Sequence, residues 1–534
     1  MKIRSLQSVL LSALIIFTAF TAFAAGEKPD AVPRFDIKGY QVEGNTLLPA
    51  DSLESILSPF TGKGRDFGAV QEAIDALEQA YRDRGFSMVA VSLPEQELEG
   101  GIVRLKVHEN RLGKITIEGN RHFDEANIRR SLPGLKQGET PNLNAVSRSL
   151  RLANENPSKS TSLQLANSDK ENEIDANITV KDERPWKIGI SADNTGEKQT
   201  GRSRMGVLAQ HDNLFNRDQL LTLQYITSPE KLDKVSIYSL GYRAPLYSLG
   251  ASVDLIAAHS NVDSGTISAA ANSLNVSGKG TILGVRYNQI LTRIGDYEHK
   301  LILGLDYRAY ENNVDFLGNQ LGNNVTVHPV SLTYAGTQMS GNLNSSFYFT
   351  GLQNLPGSWD GRDKAEDVQN ARFGAPRGYN ILRYGVNLAY AVGADWQARA
   401  LMNGQYTNDP LVPGEQYGIG GASTVRGFAE REFSNDRGYS GSVEIYTPDL
   451  SRLFGVTAFR SRVLAFYDRG VVSRVDPLPG ETAKMEIASI GPGLRITDGK
   501  KFSISVDCGF VVDPPDENTS RWSSVWHLSA SYLF

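Results

Sequence analysis

The last nine residues, Trp526 to Phe534, read WHLSASYLF. Apolar side chains occupy every second position up to the terminal phenylalanine, and His527 and two serines lie between them. Because successive side chains of a strand point to opposite faces, the pattern predicts a β-strand with one apolar and one polar face. An apolar row that ends in aromatic residues is typical of a barrel strand that faces lipid. We therefore expect Trp526, Tyr532 and Phe534 to form the signal that is read during barrel assembly; the alternative is an ordinary amphipathic strand.

Alternating runs of about ten residues continue from this strand back to residue 183. We count sixteen, which begin near residues 186, 202, 217, 233, 248, 277, 297, 324, 341, 381, 394, 436, 457, 484, 501 and 524. Short connections follow even-numbered runs, and the long connections follow odd-numbered ones. Outer-membrane barrels have an even number of antiparallel strands, short periplasmic turns and long extracellular loops. The sequence therefore predicts an all-β transmembrane barrel of sixteen antiparallel strands over residues 183–534.

The N-terminus has the features of a secretion signal. A basic segment is followed by an apolar run over residues 9–20 and by small residues at Ala22 and Ala24. The apolar run is shorter than the ~20 residues that a membrane-spanning helix needs. We interpret residues 1–24 as a cleaved signal peptide and residues 25–34 as a short linker.

Composition and motifs argue against several other classes of protein. The formal net charge of −5 disfavours nucleic acid as a partner, and the single cysteine, Cys508, excludes an internal disulfide framework. The sequence has no GxxxxGK[ST], HExxH or GxSxG motif, so we expect no enzyme activity, no cofactor and no bound metal. Asp360, Asp363 and Asp367 could bind a cation, but we interpret them as part of a solvated acidic loop.

An internal repeat lies between the linker and the barrel. YQVEGN at residues 40–45 recurs as ITIEGN at residues 115–120, 75 positions later. The repeat defines two units, about 35–109 and 110–182, each with the pattern strand, two helices, two strands. We therefore expect two small α+β domains before the barrel.

One strand of the first unit is a candidate docking edge. The uncharged alternating run Ser87, Met88, Val89, Ala90, Val91 and Ser92 could pair with an extended segment of another protein by adding a strand to the sheet. The alternative is that the two units are generic domains without a binding role.

A glycine-rich connection after the eleventh strand carries the motif Val425-Arg426-Gly427-Phe428 within residues 407–435. Glycine at this density lets a backbone fold tightly against other chain segments. In the thirteenth strand, Asp468 alternates with outward residues, and a carboxylate facing lipid is costly, so we expect Asp468 to face the lumen. The same alternation turns Glu444 inward. These acids could receive the planar, always charged guanidinium of Arg426. The alternative for Arg426 is a solvated loop arginine without a partner.

These motifs together resemble those of a known superfamily. The two repeats are similar to POTRA domains, and the VRGF tetrad with the run Phe466-x-Asp468-x-Gly470 resembles its two signature motifs. The superfamily comprises the TpsB transporters of two-partner secretion and the barrel-assembly insertases. Two repeats and the total length resemble TpsB. The resemblance implies that the tetrad folds into the pore, that Arg426 pairs with Asp468, and that Phe428 and Phe466 pack nearby.

The resemblance also implies a function. A TpsB-like protein in the Gram-negative outer membrane would bind a large unfolded TpsA-like exoprotein through periplasmic POTRA repeats and conduct it to the cell surface without ATP. Other expected partners are outer-membrane lipid and the barrel-assembly machinery. Some family members carry a plug helix, but residues 25–34 are too few to form one, so we expect loop 407–435 to be the only internal obstruction. The alternatives are an outer-membrane insertase, a passive porin and an outer-membrane enzyme.

Overall fold

The computed structural model describes residues 33–262, 279–311, 313–316, 319–322, 324–517 and 519–534. The predicted signal peptide and nearly all of the predicted linker lie outside this part of the chain. The described residues divide into two compact units, one with residues 33–82 and 89–108, the other with residues 83–88 and 109–534. Among the described residues, no helix combines the length and the apolar character needed to cross a membrane.

The first repeat contains the predicted strand, two helices and two strands, together with two further short strands that pair with each other. Its elements are Phe35–Ile37, Gly39–Glu43, helix Ala50–Leu57, the 3-10 turn Ser58–Phe60, Gly62–Arg65, helix Phe67–Asp83, Val89–Ser92 and Ile102–Glu109. The last strand is central, because it pairs in parallel with Gly39–Glu43 and has Val89–Ser92 on its other side. The strand Val89–Ser92 is therefore an edge of this sheet.

The second repeat has the predicted order of strand, two helices and two strands. The sequence that recurs in the two repeats forms the same turn in both. Its elements are Arg111–Glu118, helices Glu125–Ser131 and Leu143–Asn154, and strands Lys159–Asn167 and Glu173–Asp182. Gly44 and Gly119 have φ angles of +80° and +85°. A side chain at either glycine would collide with a carbonyl oxygen in the last strand of its repeat. The amides of Asn45 and Asn120 donate to the carbonyl three residues ahead, at 2.8 and 2.9 Å. The Gly-Asn pair thus turns the first strand toward the first helix.

Sixteen strands form a closed antiparallel barrel, as predicted. In order, barrel strands 1 to 16 are Trp186–Asp193, Arg204–Leu214, Gln219–Thr227, Ser236–Leu246, Ala251–Ser260, Gly280–Ile290, Tyr297–Tyr310, Val325–Val327 with Pro329–Ser340, Leu343–Asn354, Asn380–Gly393, Trp396–Tyr406, Arg437–Tyr446, Arg460–Ser473, Lys484–Thr497, Phe502–Asp513 and Ser524–Leu533. Strand 16 closes the barrel by pairing with strand 1 from Ser529–Asp193 to Leu533–Gly189.

The two faces of the strands differ as the alternation predicts. In strand 13, Leu464, Phe466 and Asp468 are buried, whereas Val463 and Tyr467 are exposed. The buried face is therefore the inner face of the barrel, and the exposed apolar residues form its outer surface. Connections after odd-numbered strands are long, and a helix, Ala365–Ala371, folds within the one after strand 9. The connection after strand 12 is longer than the other even-numbered ones and holds the 3-10 helix Leu450–Phe454.

The second repeat is docked on the short turns of the barrel through a buried ion pair. The Lys159 ammonium lies 2.6 Å from Asp218, in the turn after strand 2, and donates to Asn127 at 3.0 Å. The Tyr247 hydroxyl, in the turn after strand 4, donates to the same Asp218 carboxylate at 2.6 Å. Burial lowers the pKa of Lys159, and the contact with Asp218 opposes that shift. This buried, hydrogen-bonded cluster fixes the second repeat to the rim of the barrel.

Candidate functional site

Loop 407–435 folds back on itself as a short β-hairpin. Its stem is formed by Tyr417–Ile419 and Phe433–Asn435, which pair antiparallel, and the tetrad lies in the tip. Val425 and Phe428 are buried against apolar residues of strands 13, 14 and 15, which are Val472, Ile487 and Val511. The tip therefore packs on the inner wall of the barrel and does not extend into extracellular solvent.

Arg426 forms a two-pronged ion pair with Asp468. Its Nε lies 2.7 Å from one carboxylate oxygen, and its Nη2 lies 2.8 Å from the other. Nη1 contacts Glu444 at 2.8 Å. The guanidinium carbon lies 3.5 Å from the centre of the Phe466 ring, within the range of cation–π attraction. The structure thus brings together Arg426, Asp468, Glu444 and Phe466, whereas Phe428 packs in a separate apolar cluster.

The same site contains residues that sequence reasoning missed. Asp507 in strand 15 lies 3.5 Å from Arg426 Nη1, and the Ser442 hydroxyl accepts from Nη2 at 3.0 Å. The backbone N–H of Gly427 donates to His527 Nε2 at 3.0 Å. Alternation already placed His527 on the inner face, and it gives Asp507 the same orientation. The sequence alone gave no way to judge which inward side chains the loop would reach.

Three glycines make the close approach of loop and wall possible. Gly427 has a φ of +93°, which side chains rarely adopt. A Cβ on Gly509 of strand 15 would lie 2.6 Å from the carbonyl carbon of Arg426 and closer still to the Gly427 nitrogen. A Cβ on Gly470, which ends the second motif, would meet Val425 at 2.8 Å. The tetrad thus lies against bare backbone at two points on the wall.

A polar cavity of about 190 Å³ adjoins the paired charges. Its lining includes Arg399, Ser423, Tyr446 and Arg495, together with the Glu444 carboxylate. The exposed tip of the hairpin, next to Ser423, faces this space. The lining of the cavity mixes both signs of charge with neutral hydrogen-bonding groups.

The predicted docking edge is shorter than expected. The strand comprises Val89, Ala90, Val91 and Ser92, and the residues before it, Ser87 and Met88, form a turn. The prediction was wrong for those two positions because uncharged alternation does not by itself mark where pairing begins. The backbone N–H of Val91 already donates to the Glu78 carboxylate at 3.0 Å, so one donor along this strand is occupied.

The final strand has the predicted orientation. Trp526, Tyr532 and Phe534 are exposed on the outer face, and His527 is buried on the inner one. The rings of Tyr532 and Phe534 meet edge to face with centroids 4.6 Å apart. The aromatic row therefore lies where lipid would contact the barrel.

The acidic residues after strand 9 serve the fold of their own loop. Asp363 accepts from the Gly357 backbone N–H and lies 3.6 Å from Arg377, and Asp367 accepts from the Lys364 backbone N–H at 3.1 Å. Asp363 is buried, so the interpretation of a solvated acidic loop was wrong at that residue. Among the described residues, no group of three or more histidine, cysteine or acidic side chains is placed to hold a metal ion.

Comparison with family models decides the family. Residues 172–496 match the model for haemolysin secretion/activation proteins ShlB/FhaC/HecB, and residues 35–110 match the model for the ShlB-type POTRA domain. The chain belongs to the ShlB/FhaC/HecB family. The resemblance to TpsB transporters is thereby confirmed.

Individual relatives agree with this assignment. The outer membrane transporter CdiB of Dickeya dadantii is 23% identical over 416 residues, which are 76% of this chain and 71% of that protein. The heme/hemopexin transporter protein HuxB of Haemophilus influenzae is 22% identical over 500 residues, 91% of this chain and 85% of that protein. The solved structure of CdiB from Escherichia coli shares the fold, with a TM-score of 0.74 at 20% identity over 97% of this chain and 93% of that one.

The family assignment establishes the general function and location. ShlB/FhaC/HecB proteins are transporters that secrete partner proteins through an outer-membrane barrel, and their POTRA domains lie in the periplasm. The protein is therefore an outer-membrane protein transporter with a sixteen-stranded barrel.

Proposed function

We propose that loop 407–435 is the internal gate of this transporter and that Arg426 holds the gate in its working position on the barrel wall. The observation that carries the proposal is the contact of one loop guanidinium with acids on three wall strands, Glu444, Asp468 and Asp507. A hairpin held on the inner wall occupies space that a passing chain needs. The exported chain would displace the tip or pass beside it through the polar cavity.

The energy for transport would come from the client. No phosphate-binding motif is present in the sequence, and the periplasm has no ATP. A chain that stays extended inside and folds outside cannot return through the barrel.

We propose three partners for the protein. The client is a large exoprotein, the barrel-assembly machinery reads Trp526, Tyr532 and Phe534, and lipid contacts the outer face of the barrel.

Photo-crosslinking tests the path directly. A photoreactive amino acid at Ser423, which lines the cavity, should capture the client while it is being exported. The same amino acid at Tyr238, which is exposed on the outer face of strand 4, is the matched control and should not. An insertase would instead capture its client at strands 1 and 16 and leave it in the membrane. A passive porin would capture none at any of these positions.

We also propose that the edge strand Val89–Ser92 binds the client before export. Glu78 occupies the Val91 N–H, so a docking strand must displace that carboxylate. Glu78→Ala should therefore strengthen binding of the client's N-terminal segment to the purified protein, because it exposes a backbone donor. Val91→Pro should weaken binding, because proline removes the donor altogether.

Titration calorimetry with the client segment measures both effects. Glu54→Ala, on the helix Ala50–Leu57 of the same repeat, is the control for loss of an acid. If the client segment binds Glu78→Ala, Val91→Pro and the parent protein with equal affinity, this strand is not the docking edge.

A further inference from the structure

A second charge cluster holds the foot of the hairpin. Glu415, in the turn that precedes the stem, is fully buried. Its carboxylate accepts from Arg308 at 2.7 and 3.0 Å, from Arg383 at 3.0 Å and from the Tyr310 hydroxyl at 2.8 Å. We call Glu415 with Arg308, Tyr310 and Arg383 the foot cluster. A buried carboxylate with this many donors is held firmly in one position.

A glutamine joins the two ends of the hairpin at the same place. The Gln405 amide, on strand 11, donates to the backbone carbonyl of Glu415 at 2.8 Å and to that of Asp436 at 2.9 Å. Glu415 precedes the first stem strand and Asp436 follows the second. The Gln405 side chain thus joins the start of the hairpin to its end, next to the foot cluster.

The foot cluster and the tetrad use opposite charges and contact different strands. At the foot the loop supplies an anion to cations on strands 7 and 10, whereas at the tip it supplies the cation Arg426 to acids on strands 12, 13 and 15.

We propose that Glu415 is a positioning residue that fixes the start of the hairpin, so that Arg426 at the tip reaches its acids on strands 12, 13 and 15. With Glu415 neutralised, Arg308 and Arg383 lose their shared acid and the foot of the stem is free to rotate. The tip then samples positions away from Asp468 even though Arg426 is intact.

Distance measurement between spin labels tests this inference. Labels at Ser423→Cys in the tip and at Asn342→Cys in the exposed turn after strand 8 report the position of the tip, and the native Cys508 is buried. The parent protein should give one narrow distance distribution. Glu415→Gln should shift and broaden it, whereas Glu415→Asp, which retains the charge, should restore it in part. Glu481→Gln, which removes an acid paired with Arg474 in a different loop, should leave it unchanged.

Arg383→Gln is a second variant that removes one donor and leaves Arg308 in place. It should broaden the distribution in the same direction, which keeps the test decisive if Glu415→Gln does not fold. An unchanged distribution in folded Glu415→Gln, or in Arg383→Gln where only that variant folds, would overturn the inference.

The position of the tip tests the role of Glu415 by itself. Only the expected effect of Glu415 on transport rests on the proposed gating role of the loop. A displaced tip with reduced secretion supports both proposals. A displaced tip with normal secretion would refute the gating role and leave Glu415 as the positioning residue. An undisplaced tip would refute the role of Glu415 and leave the gate proposal intact.

Discussion

Arg426→Ala is expected to abolish secretion of the partner protein while the barrel still inserts into the outer membrane. The substitution leaves Asp468, Glu444 and Asp507 without their shared cation in a buried site. Breaking a buried ion pair from one side costs ~3–5 kcal/mol, less where water enters. The barrel wall does not depend on this contact, because its strands are joined by continuous backbone hydrogen bonds. The loss therefore falls on the position of the hairpin.

Secretion is measured as partner protein in the medium, and insertion as the heat-dependent migration of the barrel on a gel. Asp468→Ala should produce the same defect, and the double variant should be no worse than Arg426→Ala alone, because both substitutions remove one interaction. Arg469→Ala is the matched control, since Arg469 lies one position along strand 13, is half exposed and pairs with Glu486 at 2.6 Å. Normal secretion by both Arg426→Ala and Asp468→Ala would refute the gate.

The barrel could be predicted from sequence because strand alternation is a local signal repeated sixteen times. All predicted starts lie within three residues of the observed ones. Each strand needs only its own pattern of inward and outward residues, and the pairing of neighbours follows from chain order. The errors in the predicted starts are small for that reason, and they occur at strand ends. The first repeat shows the same kind of error, because Ser87 and Met88 were predicted to lie in a strand and belong to a turn.

The site was predictable only where a motif and the alternation agreed. Arg426 and Asp468 were identified because an acid on an inward position needs a cation and a glycine-rich loop can deliver one. Glu415 carries no such signal, since an acid in a loop is ordinarily solvated. Its burial depends on cations from strands 7 and 10, which lie 107 and 32 residues away in sequence. Contacts between a loop and distant strands depend on the closed barrel, so no local pattern contains them.

Gly509→Ala is expected to displace the tetrad without altering any charged residue. The added methyl group would lie 2.6 Å from the carbonyl carbon of Arg426, and closer to the nitrogen of Gly427, which is less than van der Waals contact allows. Both neighbours are backbone atoms, so no side-chain rotation relieves the overlap. Alanine is compatible with a strand, so strand 15 itself should form. Overpacking costs typically ~1–3 kcal/mol, and here the tip can avoid that cost by leaving the wall.

The expected result is a secretion defect that resembles that of Arg426→Ala, with single-channel currents in planar bilayers that differ from those of the parent protein, because the hairpin no longer lies against the wall. Gly351→Ala is the matched control, since Gly351 is also a strand glycine and a Cβ there would have no atom within 4 Å. Because Gly509→Ala retains Arg426 and all three acids, a defect in this variant cannot arise from an unpaired charge. If Gly509→Ala secretes and conducts like Gly351→Ala, the contact between tetrad and wall is not what positions the gate.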